Sequence, residues 1–536
     1  MKSLGSGEFF NFFFRNALMA QLQLDFPDLE ELVSASKEEA IEKLTMLGFP
    51  TEEMEDGRLN VEVTPNRPDA LCVEGIARAL RFYLESKPAI YSVGKSAINV
   101  DVDKSVIGVR PFFGGAHVRG VRLTESALRS IMQLQEKLHE TLGRKRRKVA
   151  IGLHDASKVK PPFRYFACSR EEVSFVPLER SERMTPFEIL RRHEKGMAYA
   201  HLVGELCPMI EDSRHEMLSF PPIINGELTK LTKSTTDVFV DCTGTSQEAV
   251  LQAVNIVSAA LAERGVSVEG ILVNGAPYRI LEERKWPLPV KGANRLLGLE
   301  LSREQVAGHL ARMGYRIESD AAYAPGFRAD IMNEVDLIED VAISYGFNNF
   351  EPSLPLFASF GHAEPEYPFH EIIVGMGYDE ALTFTLSSPA IEAKAGMPDG
   401  ERLEIENPLT QDFTCFRRFL LPTLLSVLAE SKNEKLPIRI YEIGPVASPE
   451  LKNSLCFASM HAKASFSEAK GAACALFAAA GRDLGFEEGS HGAFMEGRCA
   501  RLISEGKGIG FLGEVKPEVL VAFGLEQPLC ACEISV

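Results

Sequence analysis

Apolar and polar residues repeat with two different periods along this chain, and each period predicts one kind of element. Apolar residues spaced three or four apart predict helices over residues 37–47, 124–142 and 247–263. Alternation with period two predicts half-buried strands at Leu59–Val63 and over 438–444. Helices and strands are mixed along the whole length, which is typical of an α+β protein built from several modules.

The segment 327–346 carries the most distinctive pattern. It follows the turn-forming residues Pro325 and Gly326, and Asn333 and Gly346 are suited to start and end a helix. Apolar residues recur at helical spacing and predict the buried stripe of this helix: Ile338, Val341, Ala342 and Tyr345. Acidic residues lie on the opposite side or just before the helix: Asp330, Asp336, Glu339 and Asp340.

These acidic residues allow two interpretations. Asp336, Glu339 and Asp340 share one face and repel one another unless they are solvated, paired or bound to a metal. A solvated acidic face is the simpler interpretation, and a metal site is the other. Ile343 also points to the acidic side, which indicates that something covers this side.

Length, charge and cysteine usage limit the class of protein. At 536 residues the chain is too long for one core, and about three to four domains are expected. The net charge of −17 argues against a protein that binds nucleic acid on its own, although local basic contacts remain compatible with it. The ten cysteines are scattered without a Cys-x-x-Cys pair, so we expect no zinc site and no disulfides, and a reducing cytoplasm fits.

Two short observations concern membranes. No apolar run reaches the eighteen or more residues that a membrane span needs, so no membrane-spanning segment is expected. The phenylalanine-rich run 9–14 lacks the layout of a signal peptide and is interpreted as a buried strand or the start of a helix.

Changes of pattern divide the chain into four predicted modules. Residues 1–95 form a small N-terminal α+β module, and residues 96–275 form a mixed α/β module with more strand. Residues 276–355 are predicted to run helix, helix, strand, strand, helix, which resembles a winged-helix arrangement. Residues 356–536 form a larger α/β unit, with a strand predicted over 378–387.

Two loops carry candidate contact residues. The stretch 64–69 contains two prolines and cannot join a strand ladder, so it is a plain connection or a rigid loop that presents Asn66 and Arg67 outward. Asp69 is placed to cap the next helix. The run 144–148 holds five positive charges, which indicates a solvated loop or, alternatively, a contact with phosphates.

A pocket between the predicted loop 219–227 and the end of the strand 237–245 is another candidate site. It would offer polar side chains from both segments: Ser219, Asn225, Glu227, Asp241 and Thr243. They include no readable nucleophile–base pair and no Gly-x-Ser-x-Gly elbow, so structural roles are the simpler interpretation.

Several short motifs, taken together and in their order, resemble one family. They are Val-Thr-Pro-Asn-Arg-Pro-Asp (63–69), Gly-Leu-His-Asp (152–155), Ser-Phe-Pro-Pro-Ile-Ile-Asn-Gly-Glu-Leu (219–228), Arg-x-Asp-Ile-x-x-Glu-x-Asp-Leu-Ile-Glu-Asp-Val (328–341), Tyr-Gly-Phe-Asn-Asn (345–349), Thr-Phe-Thr-Leu-Ser (383–387), Glu-Asn-Pro (406–408), Arg417 with Leu-Leu-Pro (420–422), and Tyr-Glu-Ile-Gly (441–444). From about residue 40 onward the chain resembles the β subunit of phenylalanine–tRNA ligase in its archaeal and eukaryotic form.

The resemblance implies a heterotetramer of two α and two β chains that attaches phenylalanine to tRNA(Phe). In that family the α subunit binds ATP and carries out the attachment. The unit 356–536 would then be a class II synthetase-like antiparallel-sheet domain that does not catalyse. Arg439 and Glu442 could echo an ATP-binding strand, but the stretch 510–517 lacks the arginine that would hold the nucleotide.

The resemblance also gives both candidate sites a meaning. It implies that the module 96–275 is an editing module, which hydrolyses tRNA(Phe) wrongly charged with tyrosine, with Ser219, Asp241 and Thr243 in its pocket. A pocket sized for phenylalanine rejects an isostere that adds a hydroxyl only by about a hundredfold, so a second site is needed. It further implies a Mg²⁺ ion at the boundary with the α subunit, bound by Asp330, Asp336, Glu339 and Asp340.

Three other functions compete with this one. An inert scaffold subunit with a decayed pocket would leave Tyr-tRNA(Phe) intact. A winged-helix regulator of nucleic acid is disfavoured, because its third helix is acidic and has the wrong sign for a major groove. A metal hydrolase at the acidic segment would need a general base, and no histidine lies near residues 330–340.

Overall fold

The chain folds as two compact units, the first ending at Ser353 and the second beginning at Leu354. This computed structural model describes residues 20–88, 90–354, 361, 369–431, 433–448 and 450–536. The run 9–14, predicted as a buried strand or helix start, lies outside these residues. No helix within the described ranges is both long and apolar enough to cross a membrane. The finer division into four modules stays a prediction.

The N-terminal part of the first unit is a small antiparallel sheet covered by helices. Its elements are β1 (Ala20–Leu24), α1 (Phe26–Glu30), α2 (Lys37–Met46), β2 (Thr51–Glu53), β3 (Leu59–Val63) and α3 (Val73–Glu85). β3 lies between β1 and β2. Its alternating residues Leu59, Val61 and Val63 are buried in the core, as the period-two pattern predicts.

The loop 64–69 turns inward. Arg67 is buried and donates from Nε to Asp69 Oδ1 at 2.8 Å, and Arg78 reaches the same carboxylate at 3.3 Å. Cys72 caps the helix that follows. The predictions that Arg67 points outward and that Asp69 caps this helix are therefore wrong, because two arginines hold the carboxylate in the interior. Asn66 is exposed, as predicted.

A large mixed sheet forms the middle of the first unit. Its strands and the neighbouring helices are β4 (Val93–Val102), β5 (Phe112–Arg119), α4 (Glu125–Glu140), β6 (Val149–Asp155), β7 (Phe163–Ser169), α5 (Pro186–Arg192), α6 (Glu194–Tyr199), β8 (Leu206–Glu211), β9 (Met217–Phe220), β10 (Ile224–Asn225), β11 (Asp237–Gly244), α7 (Gln247–Ala262), β12 (Ser267–Val273) and β13 (Ala276–Pro277). The strand order is β10-β9-β8-β7-β4-β12-β5-β11-β6, with β13 paired to β12. β4 runs parallel to β7 and β12.

The edge strand β6 is fully covered despite its position. Each of its residues is buried, because α4 packs along its outer side and α7 packs on the sheet beside it. α7 itself is buried for most of its length, as its apolar run predicts. The edge of β6 and helix α4 together can therefore form one wall of a site.

The last part of the first unit has the helix–helix–strand–strand–helix order that the sequence predicts. Its elements are β14 (Arg284–Pro287), α8 (Val290–Leu297), α9 (Arg303–Arg312), β15 (Arg316–Glu318), β16 (Ala321–Ala324) and α10 (Glu334–Tyr345). β14 adds a strand that the pattern missed, and β16 lies between β14 and β15. α10 ends where Gly346 adopts a φ of 95°, a conformation that favours glycine.

The second unit is built on a twisted sheet. Its elements are α11 (Phe369–Gly375), β17 (Asp379–Glu380), β18 (Leu386–Ser387), α12 (Pro389–Lys394), β19 (Cys415–Phe416), α13 (Leu421–Glu430), β20 (Ile438–Ala447), β21 (Leu451–Met460), α14 (Phe466–Ala479), β22 (Gly485–Glu488), β23 (Phe494–Ser504), β24 (Lys507–Val515), α15 (Pro517–Phe523) and β25 (Leu529–Ser535). The strand order is β17-β20-β21-β25-β24-β23-β22. β17 pairs with β20 in parallel, and the remaining neighbours are antiparallel.

Both faces of this sheet are buried along β21. Along β21, Cys456 and Ala458 pack into a cluster that contains α13, while Leu455 and Phe457 pack into a cluster that contains α14. The predicted strand over 378–387 is mostly wrong, since only its two ends pair with other strands. Its middle is held differently: the Thr383 hydroxyl donates to Glu442 at 2.7 Å.

Candidate functional site

A cavity of about 420 Å³ lies in the first unit between the end of the large sheet and helix α4. Apolar walls come from residues such as Leu128, Leu153, Ile223 and Ile224. Among the polar residues predicted from sequence, Ser219, Asn225 and Asp241 line it, while Glu227 and Thr243 lie outside its wall. The structure thus brings together two of the three pocket residues that the resemblance named.

Asp241 reaches the cavity because its neighbour on the edge strand is a glycine. Asp241 on β11 pairs with Gly152 on β6. A Cβ atom at position 152 would lie 1.9 Å from Asp241 Oδ2 and 2.7 Å from His154 Nε2. Gly152 of the Gly-Leu-His-Asp motif therefore leaves the space that the Asp241 carboxylate occupies.

A buried chain of hydrogen bonds fixes that carboxylate. His154 Nε2 lies 2.7 Å from Asp241 Oδ2, and His154 Nδ1 lies 2.7 Å from Thr229 Oγ1. The Thr229 hydroxyl also lies 3.3 Å from the Gly226 carbonyl. An imidazole placed in this way links the Asp241 carboxylate to the Thr229 hydroxyl and fixes the orientation of both. The Gly-Leu-His-Asp motif contains His154 without indicating its role, and no local pattern marks Thr229.

Ser219 and Thr243 differ in how their hydroxyls are used. Ser219 lies in β9, not in a loop as predicted, and its Oγ is buried without a hydrogen-bond partner in the described structure. Thr243 Oγ1 accepts from Arg110 Nε at 2.9 Å, and Arg110 Nη2 also donates to the Thr243 carbonyl. Thr243 is therefore occupied by a structural contact, whereas Ser219 lines the cavity and its hydroxyl has no partner among the described residues.

The basic run 144–148 is split between the interior and the surface. Arg146 is buried and lines the cavity, where Nη1 donates to the Ile223 carbonyl at 2.9 Å and Nη2 to Glu136 Oε1 at 2.8 Å. Arg144, Lys145 and Arg147 are exposed. The interpretation as a plain solvated loop is thus incomplete, since the middle arginine is part of the cavity wall.

Arg328 organises the acidic segment 327–346. Its Nη2 lies 2.7 Å from Asp330 Oδ2 and 2.8 Å from Asp340 Oδ2. Tyr315 also donates its hydroxyl to Asp340 at 2.8 Å. Asp340 is buried. Part of the predicted acidic face is therefore an internal ion-pair network.

The other two acids of this segment stay nearer to solvent. Asp336 Oδ2 accepts the backbone N–H groups of Met332 and Asn333, which fixes the start of α10. Glu339 is exposed, and its pKa is raised by partial desolvation and then by the charges of Asp340, Asp336 and Asp330. The segment thus gathers its acids closely enough for them to interact. Ile343 is half-buried against the core of the first unit, so this chain itself covers it in part.

These acids do not form a complete metal cage by themselves. Mg²⁺ prefers an octahedral set of oxygen ligands, usually with several waters. Across the described ranges, no group of three or more His, Cys, Asp or Glu side chains is arranged to hold a metal ion. Arg328 accounts for this, because it occupies carboxylate oxygens of Asp330 and Asp340.

The second unit keeps its buried arginines in ion pairs. Arg417 Nη1 lies 2.7 Å from Glu442 Oε1, with both side chains at most 2% exposed. Arg418 Nη2 lies 2.6 Å from Glu392 Oε2, and this pair is equally enclosed. Arg439 contacts Glu468 at 3.4 Å. Glu442 is therefore the partner of Arg417. The sequence motifs contain both residues but do not predict that they form an ion pair.

Comparison with known proteins places the chain among the subunits of aminoacyl-tRNA synthetases. The family described as "tRNA synthetase B5 domain" matches residues 287–347, and the family described as "Phenylalanyl tRNA synthetase beta chain CLM domain" matches residues 368–536. The first match covers the helix–helix–strand–strand–helix part, and the second covers most of the second unit.

Full-length relatives define the particular family. The chain is 39% identical to the phenylalanine–tRNA ligase β subunit of Methanothrix thermoacetophila, covering 97% of this chain and 100% of the relative. It is 40% identical to that of Archaeoglobus fulgidus, covering 97% and 98%. A solved N-terminal fragment of the phenylalanyl-tRNA synthetase β subunit from Pyrococcus horikoshii is 36% identical, with a TM-score of 0.57, covering 61% of this chain and 99% of the fragment. The chain belongs to the phenylalanine–tRNA ligase β-subunit family, which confirms the resemblance read from the motifs.

Proposed function

We propose that this chain hydrolyses tRNA(Phe) wrongly charged with tyrosine, as the editing subunit of a class II synthetase with two α and two β chains. In this proposal the α subunit binds ATP and attaches phenylalanine. The observation that supports editing is the cavity, where apolar walls surround the unpartnered Ser219 hydroxyl and the Asp241 carboxylate.

The cavity chemistry suits a tyrosyl group. A ring fits between the apolar walls, and its phenolic hydroxyl can donate to the Asp241 carboxylate and accept from the Ser219 hydroxyl. A phenylalanyl ring offers no such group and leaves both side chains desolvated without a new partner. An unpaired buried polar group costs about 1–3 kcal/mol, which favours tyrosine by roughly one to two orders of magnitude.

His154 and Thr229 support this recognition from behind. They hold Asp241 through the 2.7 Å contacts already described, so the carboxylate is oriented before the substrate enters. The hydrolytic step needs a water molecule beside the ester carbonyl. Preorganised groups of this kind act most strongly where bulk water is excluded.

Deacylation of preformed Tyr-tRNA(Phe) and Phe-tRNA(Phe) by the assembled αβ complex tests the proposal. We expect rapid loss of tyrosine, slow loss of phenylalanine, and a large drop in the tyrosine rate for Asp241→Asn. Equal survival of both charged tRNAs with the wild-type complex would reject editing. The chain would then be an inert scaffold subunit.

The second unit is proposed to be a non-catalytic, class II-like domain that supports assembly. Arg417 is neutralised by Glu442, Arg439 pairs with Glu468, and the stretch 510–517 contains no arginine. Phosphate charge would meet no unpaired arginine at these positions. The isolated β chain should therefore show no phenylalanine-dependent exchange between ATP and pyrophosphate, and strong exchange would overturn this assignment.

A Mg²⁺ ion shared with the α subunit is proposed at the acidic segment. Glu339 and the second carboxylate oxygen of Asp336 are the groups in this chain best placed to bind it. Asp330 and Asp340 lie behind them on Arg328. The α subunit and water would supply the other ligands. Glu339→Gln should lower the metal content of the complex, and unchanged metal content would contradict this site.

A further inference from the structure

A small void, separate from the cavity, lies in the first unit between helix α3, the end of helix α9 and the start of the segment 327–346. Its volume is about 10 Å³, which is enough for one water-sized molecule or ion. Apolar side chains such as Leu47, Phe82 and Phe327 form part of its wall. The polar part of the wall consists of one carboxylate and four guanidinium groups: Asp69, Arg67, Arg78, Arg312 and Arg328.

Arg78 brings an unused hydrogen-bond donor to this void. Its side chain is 1% exposed, and its Nη1 is buried without a hydrogen-bond partner in the described part of the chain. The guanidinium group is fixed in place, because it lies 3.8 Å from the centre of the Phe327 ring and its Nη2 donates to the Asp69 carbonyl at 3.1 Å. A buried donor of this kind destabilises the protein unless a bound water molecule or ion accepts from it.

The wall of the void favours an anion over a water molecule. A guanidinium group carries five N–H donors and no acceptor. Both oxygens of the Asp69 carboxylate already accept hydrogen bonds: Oδ1 from Arg67 Nε at 2.8 Å, and Oδ2 from Arg67 Nη2 at 3.0 Å and Arg78 Nη2 at 3.3 Å. A water molecule would meet many donors and few acceptors for its own two protons, whereas an anion needs donors alone.

Arg312 carries a positive charge that the surrounding carboxylates do not match. It donates to the carbonyls of Tyr83 at 3.3 Å and Ser344 at 3.4 Å, and no carboxylate within the described ranges forms an ion pair with it. The nearby pair of Arg81 and Glu263 is balanced by itself. The four guanidinium groups of the void therefore share three carboxylates, which leaves one positive charge in excess: Asp69, Asp330 and Asp340.

We propose that this void binds one monatomic anion, with chloride as the common cellular example. The anion accepts from Arg78 Nη1 and supplies the negative charge that the arginines lack. These arginines belong to four segments, which are the loop 64–69, α3, α9 and the segment 327–346. The bound ion therefore links the four segments and stabilises the first unit. This site is independent of the proposed editing function.

Bromide can locate the ion directly, because it has the charge of chloride and scatters X-rays anomalously. Crystals of the αβ complex soaked in sodium bromide should show an anomalous peak in the void, within hydrogen-bond distance of Arg78 Nη1. Bromide found at surface sites alone, with water or nothing in the void, would overturn the proposal.

Thermal unfolding of the αβ complex tests whether the ion binds in solution. At equal ionic strength, sodium chloride should raise the melting temperature by about 2 °C or more relative to sodium gluconate, whose anion is too large for the void. The rise should level off with chloride concentration as the site fills, since a ligand of the folded state stabilises it by mass action. Equal melting temperatures in the two salts would contradict the site.

Two arginine variants separate this ion from general effects of salt. Arg312→Met removes the excess charge and should abolish the difference between chloride and gluconate. Its side chain is only half-buried, so the variant is expected to fold. Arg295→Met is the matched control, because it removes the same charge from the exposed surface of α8 and should keep the full difference. Equal chloride responses in the two variants would overturn the proposal, and the bromide peak decides it if Arg312→Met does not fold.

Discussion

The cavity of the first unit and the buried arginine pairs of the second unit differ in whether their buried polar groups have partners. Both regions bury polar and charged groups, which is costly unless these groups find partners. In the cavity wall, three buried atoms have no partner among the described residues: Ser219 Oγ, His139 Nδ1 and Arg146 Nε. In the second unit, Arg417 and Arg418 are each matched by a carboxylate.

The two units differ in where their unpartnered atoms lie. Within the described part of the chain, all buried side-chain nitrogen and oxygen atoms without a partner belong to the first unit. Three of these nine atoms line the cavity, where a ligand can supply the missing partner, and the other six lie elsewhere in the first unit. In the described part of the second unit, every buried polar side-chain atom already has a partner.

Gly152→Ala should give the largest effect, because it disturbs the cavity directly. The new Cβ would lie 1.9 Å from Asp241 Oδ2 and must displace the carboxylate. We expect hydrolysis of Tyr-tRNA(Phe) to fall by about 100-fold, since displacing a catalytic-site group by about 1 Å has this cost. Attachment of phenylalanine should be preserved.

Gly108→Ala is the matched control, because a Cβ at that position meets nothing within 4 Å. It should leave both activities unchanged. Normal editing by Gly152→Ala would show that the Asp241 carboxylate is not used as proposed. The cavity would then no longer differ from the arginine pairs in function.

Arg417→Met should act on stability and not on editing. It leaves Glu442 buried without its cation, which costs about 3–5 kcal/mol in comparable buried pairs. Thermal unfolding of the complex should show an earlier transition, with tyrosine hydrolysis intact below it. Adding Glu442→Gln should recover part of the loss. A loss of editing without a loss of stability would place this pair among functional groups.

Glu533 of the second unit is a buried carboxyl group whose partners are backbone N–H groups and not an arginine. It accepts from Leu420 at 2.8 Å and Leu421 at 2.9 Å, and desolvation raises its pKa from 4.5 to about 7. Between these values the folded protein keeps a proton that the unfolded chain releases. Stability should therefore fall as pH rises from about 4.5 to about 7, by at most about 1.4 kcal/mol per pH unit.

Glu533→Gln removes this titrating carboxyl group and should flatten the pH dependence of the free energy of unfolding over the same interval. Urea unfolding at several pH values from 4.5 to 8 measures the slope. The exposed Glu518 provides a control, since Glu518→Gln should leave the slope unchanged. A wild-type slope of opposite sign would contradict the raised pKa.

The smallest effect compares two buried serines. Ser219 Oγ has no partner, so Ser219→Ala should leave the free energy of unfolding unchanged or slightly higher. Ser459 Oγ donates to Glu468 at 2.9 Å, so Ser459→Ala should cost about 1 kcal/mol. Melting temperatures report this difference, and only Ser219→Ala should slow tyrosine hydrolysis. Equal losses of stability in the two variants would show that a hydroxyl with a partner and one without a partner contribute alike.

Local pattern predicted the elements better than the contacts between them. The strand Leu59–Val63 and the helix from Glu334 to Tyr345 follow from periodicity, because burial of one face produces it. The inward turn of Arg67 could not be predicted, since it depends on Asp69 and Arg78 meeting across a loop. The segment 378–387 looked like a strand because its residues favour one, but Glu442 binds its middle.

The candidate sites show the same limit. Ser219 and Asp241 were predicted from motifs, whereas Glu136 and His139, which also line the cavity, carry no sequence signal because their contacts lie on other elements. The acidic residues of α10 were visible in the sequence. Their division between Arg328 and solvent was not, since Arg328 lies outside the helix and its reach depends on the fold.

The side chains that cover β6 have a consequence for solubility. Gln135 donates to the Ile151 carbonyl at 2.7 Å and His139 accepts the Ile151 N–H, so α4 satisfies the free edge of the large sheet at this point. An exposed edge of this kind is a template on which another chain can add a strand. A change at Gln135 or His139 removes this cover and can expose a strand edge through which complexes aggregate.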